Sequence, residues 1–359
     1  MSIDFNQDRW QSLKTVHRQW WQGELRRPII PIVLKDRAPT RPEPEVPFLT
    51  QATCNDLTIP ADAVIDRIDY ELSLNSYLGD AFPHFNLDCF GPGIIAAFLG
   101  GMLDNSTGRV WFHPDEDRDI RDIQFRFDPD NVWFCRICDI YSAGMKRWQG
   151  QVLMGMTDIG GNLDILSTFR PSEKLLLDLY DHPEEVKRLT WEAHEAWHQY
   201  YNALNSILQP VNPGYSDWSS IYSDQPSYML QCDFSYMIGP EMFNAFVKPE
   251  LTATCELLQN TFYHLDGPGQ LPHLDSILSI NTLQGVQWVP GVGEADCAQW
   301  PEVYRKIRDA GKLIQLFGDF DVLDVVYEQL GSVQGIHLRY AQAKDAESAR
   351  TQLAKYGID

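Results

Sequence analysis

Basic residues are scarce in this chain. It carries 29 Lys and Arg against 50 Asp and Glu, a formal charge of -21, so it lacks the basic surface that nucleic acid or an anionic membrane requires. The same shortage disfavours a highly anionic substrate unless arginines line its pocket. Long apolar runs are missing as well, and with no stretch of about 18 apolar residues no membrane span is expected. The opening residues Met1-Ser-Ile-Asp-Phe-Asn lack the basic and apolar regions of a secretion signal. The seven cysteines are odd in number and scattered, which argues against a disulfide framework. Cys135 and Cys138 have no second pair to complete a zinc knuckle. These absences together point to a cytoplasmic protein with reduced thiols. Internal repeats and low-complexity segments are also absent.

What is present is a large apolar and aromatic content. Hydrophobic residues make up 44% of the 359, with 11 Trp, 15 Tyr and 17 Phe, enough for a substantial core and for a pocket wall suited to a flat or apolar ligand. Residues 7–22 carry Trp10, Leu13, Val16, Trp20 and Trp21 at helical spacing. Ile29–Leu34 then reads as a buried strand, and the proline-rich 38–60 as a surface loop. Further strands are expected at 82–88, 151–158, 228–233, 261–266, 285–289, 312–317 and 335–340, and helices over 61–78, 130–147 and 171–209 and from about Pro240. Late helices end at Gly311, Gly331 and Gly357, where C-caps belong. Val110–His113 and Ile123–Phe127 flank an acidic turn and read as an inserted β-hairpin. Strand and helix alternate about eight times without hairpins among the principal strands. The expected fold is therefore α/β, a single (β/α)8 TIM barrel over residues 26–359 with a helical lead-in over 1–25.

The strand Thr261–Asp266 stops at Gly267-Pro268-Gly269. Alternation puts His264 and Asp266 on one side of it, an imidazole and a carboxylate suited to ligand binding or proton transfer. Polar residues stand at the ends of the other strands too: Asp88, Asp158, Cys232 with Asp233, Gln287 with Trp288, Gln315 with Asp319, and His337 with Arg339. In a barrel these ends converge on one site. Asp319 also suits a helix cap, and the phase of Gln315–Phe317 and His337–Arg339 is not fixed by alternation alone. His194-Glu195-Ala-Trp-His198 matches the zinc-protease pattern, but it falls inside an amphipathic helix with Leu189, Trp197, Tyr201 and Leu204 and has no third-ligand motif, so no metal is expected there.

Several segments resemble the uroporphyrinogen decarboxylase superfamily, which also contains corrinoid-dependent methyltransferases. They are Arg27-Pro28, Asp233-Phe-Ser-Tyr-Met-Ile-Gly-Pro-Glu241, Phe246-Val-Lys-Pro249, Tyr263-His-Leu-Asp-Gly267 and Gly318-Asp-Phe-Asp321. Gly91-Pro-Gly93, Asp158-Ile-Gly-Gly-Asn-Leu-Asp164, Asp178-Leu-Tyr-Asp-His-Pro183 and Gln287-Trp-Val-Pro-Gly291 resemble more narrowly an uncharacterised corrinoid-protein-related branch. The resemblance implies the barrel fold and catalysis by His264, Asp266 and Asp233. With the convergence of strand ends, the candidate substrate-binding residues are Asp88, Asp158, Cys232, Tyr236, Gln287, Trp288, Gln315, His337 and Arg339.

Two departures shape the functional expectation. The decarboxylases' opening arginine signature is absent, leaving no clamp for a polycarboxylate. The methyltransferases' zinc-binding H-x-C becomes His264-x-Asp266, and no cysteine follows Cys297 to serve as the later ligand. Zinc accepts nitrogen and carboxylate oxygen, so His264 and Asp266 form a candidate zinc pair. The function these features imply is methyl transfer between a small methylated compound and a corrinoid protein or thiol acceptor, the corrinoid being supplied by the partner. Decarboxylation of a porphyrinogen-like or other acid, and ligand binding without catalysis, are the alternatives.

Overall fold

The computed structural model describes residues 3–358; residues 1–2 and 359, at the outer ends of the two expected segments, lie outside it. The first helix, Gln7–Trp21, starts where Asn6 Oδ1 accepts from Arg9 N (2.9 Å) and buries Trp10, Leu13, His17 and Trp20 along one stripe. This 3–4–3 spacing is that of an amphipathic helix facing a core. The strands follow in chain order: β1 Pro31–Leu34, β2 Ser76–Gly79, β3 His84–Phe85, β4 Met102–Asp104, β5 Trp111–His113, β6 Leu153–Met154, β7 Ser227–Leu230, β8 Asn260–Asp266, β9 Gly285–Val289, β10 Leu313–Phe317 and β11 Ile336–Arg339. No helix among the described residues is long and apolar enough to cross a membrane.

The closed eight-stranded barrel expected from the sequence is not found. The strands form one five-stranded sheet, ordered β11-β10-β9-β8-β7, beside three two-stranded pairs, β1-β2, β3-β6 and β4-β5. All neighbours within the five-stranded sheet are parallel. The N-terminal half explains the difference. There β1 runs antiparallel to β2, and β3 meets β6 over only two residue pairs. Backbone donors that would extend the ladder are taken by side chains instead: Met154 N donates to Asn212 Oδ1 (3.1 Å) and Thr157 N to the Tyr141 hydroxyl (2.8 Å).

The expected hairpin changes partner for the same kind of reason. Trp111–His113 pairs with Met102–Asp104, while the 123–127 segment forms no strand. Phe125 N is spent on Glu192 Oε2 (3.0 Å) and Asp128 N on the Tyr200 hydroxyl (2.9 Å), both from the helix Pro183–Leu208. The helix expected over 61–78 stops at Ser73, and its tail becomes β2. That expected over 171–209 breaks at His182, before Pro183.

Alternation along the five-stranded sheet separates two environments. On one face, Tyr263, Leu265, Val286, Trp288, Ile314, Leu316 and Leu338 join the main core against the helices. On the other, Met229, Phe262 and Leu313 form a second cluster with Trp20, Ile29 and Ile221. The first helix covers this second face: the Trp20 ring stacks on Phe262 at 5.8 Å and Trp21 meets it edge-on at 5.4 Å. Trp20 is fully buried. Trp20→Ala is therefore expected to cost about 3–5 kcal/mol, read as a lowered urea midpoint in equilibrium unfolding.

Candidate metal and active site

One polar row crosses the sheet just above the Trp20–Phe262 contact. Register places His264 beside Gln287, Gln287 beside Gln315, and Gln315 beside His337. The sheet pairing therefore fixes the phase that alternation along single strands left open. Gln287, Gln315 and His337 are buried, and their side chains connect into a chain of hydrogen bonds, as buried polar groups must.

The direction of that chain follows from its far end. The Ser219 carbonyl can only accept, so the Gln315 group 3.0 Å from it is the amide nitrogen. Gln315 Oε1 then accepts from Gln287 Nε2, and Gln287 Oε1 accepts from His264 Nδ1. His264 thus donates from Nδ1, which turns its Nε2 toward the carboxylates. The other hydrogen of the Gln315 amide points to His337 Nδ1 at 3.3 Å.

His264 Nε2 lies 3.8 Å from Asp266 Oδ2. Ligand atoms of Asp233, His264 and Asp266 all lie within 4.8 Å of one another. Two carboxylates and an imidazole nitrogen converge here, a donor set that can share a cation. Desolvation raises the Asp233 carboxyl, and the Asp266 charge adds to it. Trp218 packs its edge against the His264 ring at 5.2 Å.

Asp233 is positioned from behind. Asp164 Oδ2 accepts from Asp233 N (2.8 Å) and Oδ1 from Phe234 N (2.7 Å), capping the short 3-10 turn Asp233–Met237. Burial pushes the Asp164 carboxyl up to about 8, assisted by the Asp233 charge and opposed by those two N–H donors. The neighbouring Asp158 accepts from Gly160 N at 2.8 Å, and burial pushes it up to about 7. Trp197 Nε1 donates to the Gly160 carbonyl (3.0 Å) and Ile159 N to the Tyr228 hydroxyl (2.8 Å), so this loop is pinned on both sides.

The other residues singled out from the sequence are dispersed. Trp288 is fully buried on the opposite face, 5.1 Å from Trp300, because it is one residue out of phase with Gln287. Cys232 is buried, and its thiol is raised well above its ordinary value by burial. Tyr236 is exposed and lies over Gly267 and Gly269; a Cβ on Gly269 would meet its ring at 2.6 Å. Asp88 lines a different cavity of about 290 Å3 and accepts from Asn86 Nδ2. Arg339 donates from Nη2 to the Trp218 carbonyl at 2.7 Å. Asp319 caps the helix Phe320–Leu330.

The His194-Glu195-Ala-Trp-His198 motif faces another helix rather than the site. His194 Nδ1 is 3.0 Å from Glu250 Oε1, while Glu195 is exposed. Sequence reasoning missed Gln231, Trp218 and the role of Asp164. Asp164 closes a glycine-rich segment quoted above for resemblance alone, whereas Trp218 sits in a loop with no pattern to mark it.

Three histidines buried in the neutral form yield a pH prediction. Burial pushes His84 and His337 down to about 3 and His198 to about 4, whereas unfolded histidine titrates near about 6.5. Below that value the unfolded chain binds more protons, so stability falls as pH drops from about 6.5 toward the folded values. Urea unfolding across this window is expected to show that slope. His337→Gln, which can still accept from Gln315, is expected to flatten part of it.

No protein-family model and no curated protein matches the chain, so its placement in the superfamily that the motifs resemble is not shown. Among solved structures it is similar to a methyltransferase from Methanosarcina mazei, with a TM-score of 0.61 over 95% of this chain and 97% of that one. At 12% sequence identity, what the two share is the fold.

Proposed function

We propose that this chain is an enzyme that transfers a methyl group between a small methylated compound and a corrinoid protein or thiol acceptor. The observation that carries the reading is the convergence of Asp233, His264 and Asp266 at the strand ends, with His264 held through Nδ1 by Gln287. The fold likeness to a methyltransferase supports the same reading. So does the scarcity of positive charge around the site, which disfavours a polycarboxylate.

The donor set fits zinc: one imidazole nitrogen and two carboxylate oxygens are within its ordinary ligand range, and the ligating histidine would donate its other N–H to an amide oxygen, a common second partner of metal-bound histidines. A zinc ion held there supplies a Lewis acid that lowers the pKa of a coordinated group. Carboxylates in place of thiolates make the donors harder, which suits an oxygen or nitrogen function on the ligand. The chain's own part is positional. Gln287 fixes the ring of His264, Asp164 fixes Asp233, and Trp218 covers one edge of the imidazole.

Purified protein is expected to hold about one equivalent of zinc, reduced in Asp266→Ala and in His264→Ala while circular dichroism stays unchanged. Full zinc content in both variants would sink the metal assignment. With a methylated substrate and acceptor, His264→Ala is expected to abolish turnover, and full activity there would remove the residue from the reaction.

A further inference from the structure

A cavity of about 340 Å3 opens directly beside Asp233, within the range of small-ligand pockets. Its floor is glycine backbone. A Cβ on Gly160, whose φ is +62°, would stand 3.0 Å from Gly93 Cα, so the two segments approach too closely for side chains there. Asp164 and Asp233 supply the ionisable groups on its wall, and no Lys, Arg or His lines it. An anionic group would be desolvated against two carboxyls with nothing to pair it. Phe112, Phe234 and Met237 contribute aromatic and polarisable surface, of the kind that accepts N-methyl cations.

Gln231 adds an independent sign of a ligand. It lines this cavity and is only 8% exposed. Among the described residues, the Gln287 and Gln315 amides of the polar row have partners, whereas the Gln231 side chain makes no hydrogen bond. A buried amide facing a cavity without a partner is a group left for something else to satisfy.

We propose that this cavity binds a small protonated methylamine, its charge set against Asp233 and its N–H donated to the Gln231 amide oxygen. This rests on the methyl-transfer reading and names the substrate class for it. A ligand touching Asp233 reaches the His264 cluster directly.

The test is calorimetric titration of the full chain at about pH 7 with trimethylammonium, tetramethylammonium and methanesulfonate. Trimethylammonium is expected to bind saturably. Tetramethylammonium, which has no N–H, should bind at least about tenfold more weakly, the discrimination expected when a polar partner is left unpaired. Methanesulfonate should not bind. Gln231→Leu, similar in size, is expected to erase the preference between the two cations. Thr168→Phe, which fills the cavity from its wall, is expected to abolish binding in protein that circular dichroism shows to be folded. Equal binding of methanesulfonate, or unchanged binding in folded Thr168→Phe, overturns the proposal. Zinc measured on the same samples separates the two readings. Cation binding without zinc removes the metal assignment and keeps the cavity, and zinc without cation binding does the reverse.

Discussion

The Ser219 carbonyl is a small feature on which much of the site depends. Because it can only accept, it orients Gln315, which orients Gln287, which decides the proton position on His264. Each link is a neutral hydrogen bond of modest net worth, about 0.5–1.5 kcal/mol, yet an inverted amide would leave a buried acceptor facing another acceptor. The row is therefore specified by what it cannot tolerate. Its cost is limited by its position: the sheet register stacks the four side chains on neighbouring strands, so none has to reach.

The loop that carries this carbonyl is itself fixed by a buried carboxylate. Asp217 Oδ1 accepts from Ser219 N at 2.7 Å and Oδ2 from Met229 N at 2.6 Å, tying the loop to β7. The same loop supplies Trp218 to the His264 ring. Asp217 and Asp164 thus play parallel roles, each spending both oxygens on backbone N–H groups to hold a segment that presents a functional side chain. The acidic composition is partly explained by this use of carboxyls as fasteners.

His264 and Asp266 were legible in the sequence because strand alternation and a glycine stop are local signals, and Asp233 because it ends an expected strand. The first helix was equally legible from its aromatic spacing, and its boundary agrees within a residue. Closure of the sheet was not. Alternation of strands and helices predicts parallel pairing, but whether a ladder continues depends on where backbone donors find acceptors, and in the N-terminal half Asn212, Tyr141, Tyr200 and Glu192 took them. Trp288 was misplaced by one residue of phase, the smallest error a strand permits and one that reverses the face completely. Gln231 gave no signal at all, since an unpaired amide is visible only once its surroundings are known.

Trp20 brings the chain's opening helix against Phe262 and His337, more than two hundred residues away. Contacts of that separation are costly to close before others form, and they slow folding. During synthesis the helix emerges well before these partners and waits for them. The polar row above Phe262 has no dry floor in that interval, and its histidines remain open to water. Assembly of the site is in this sense a late event, timed by the last strand rather than by the residues that form it.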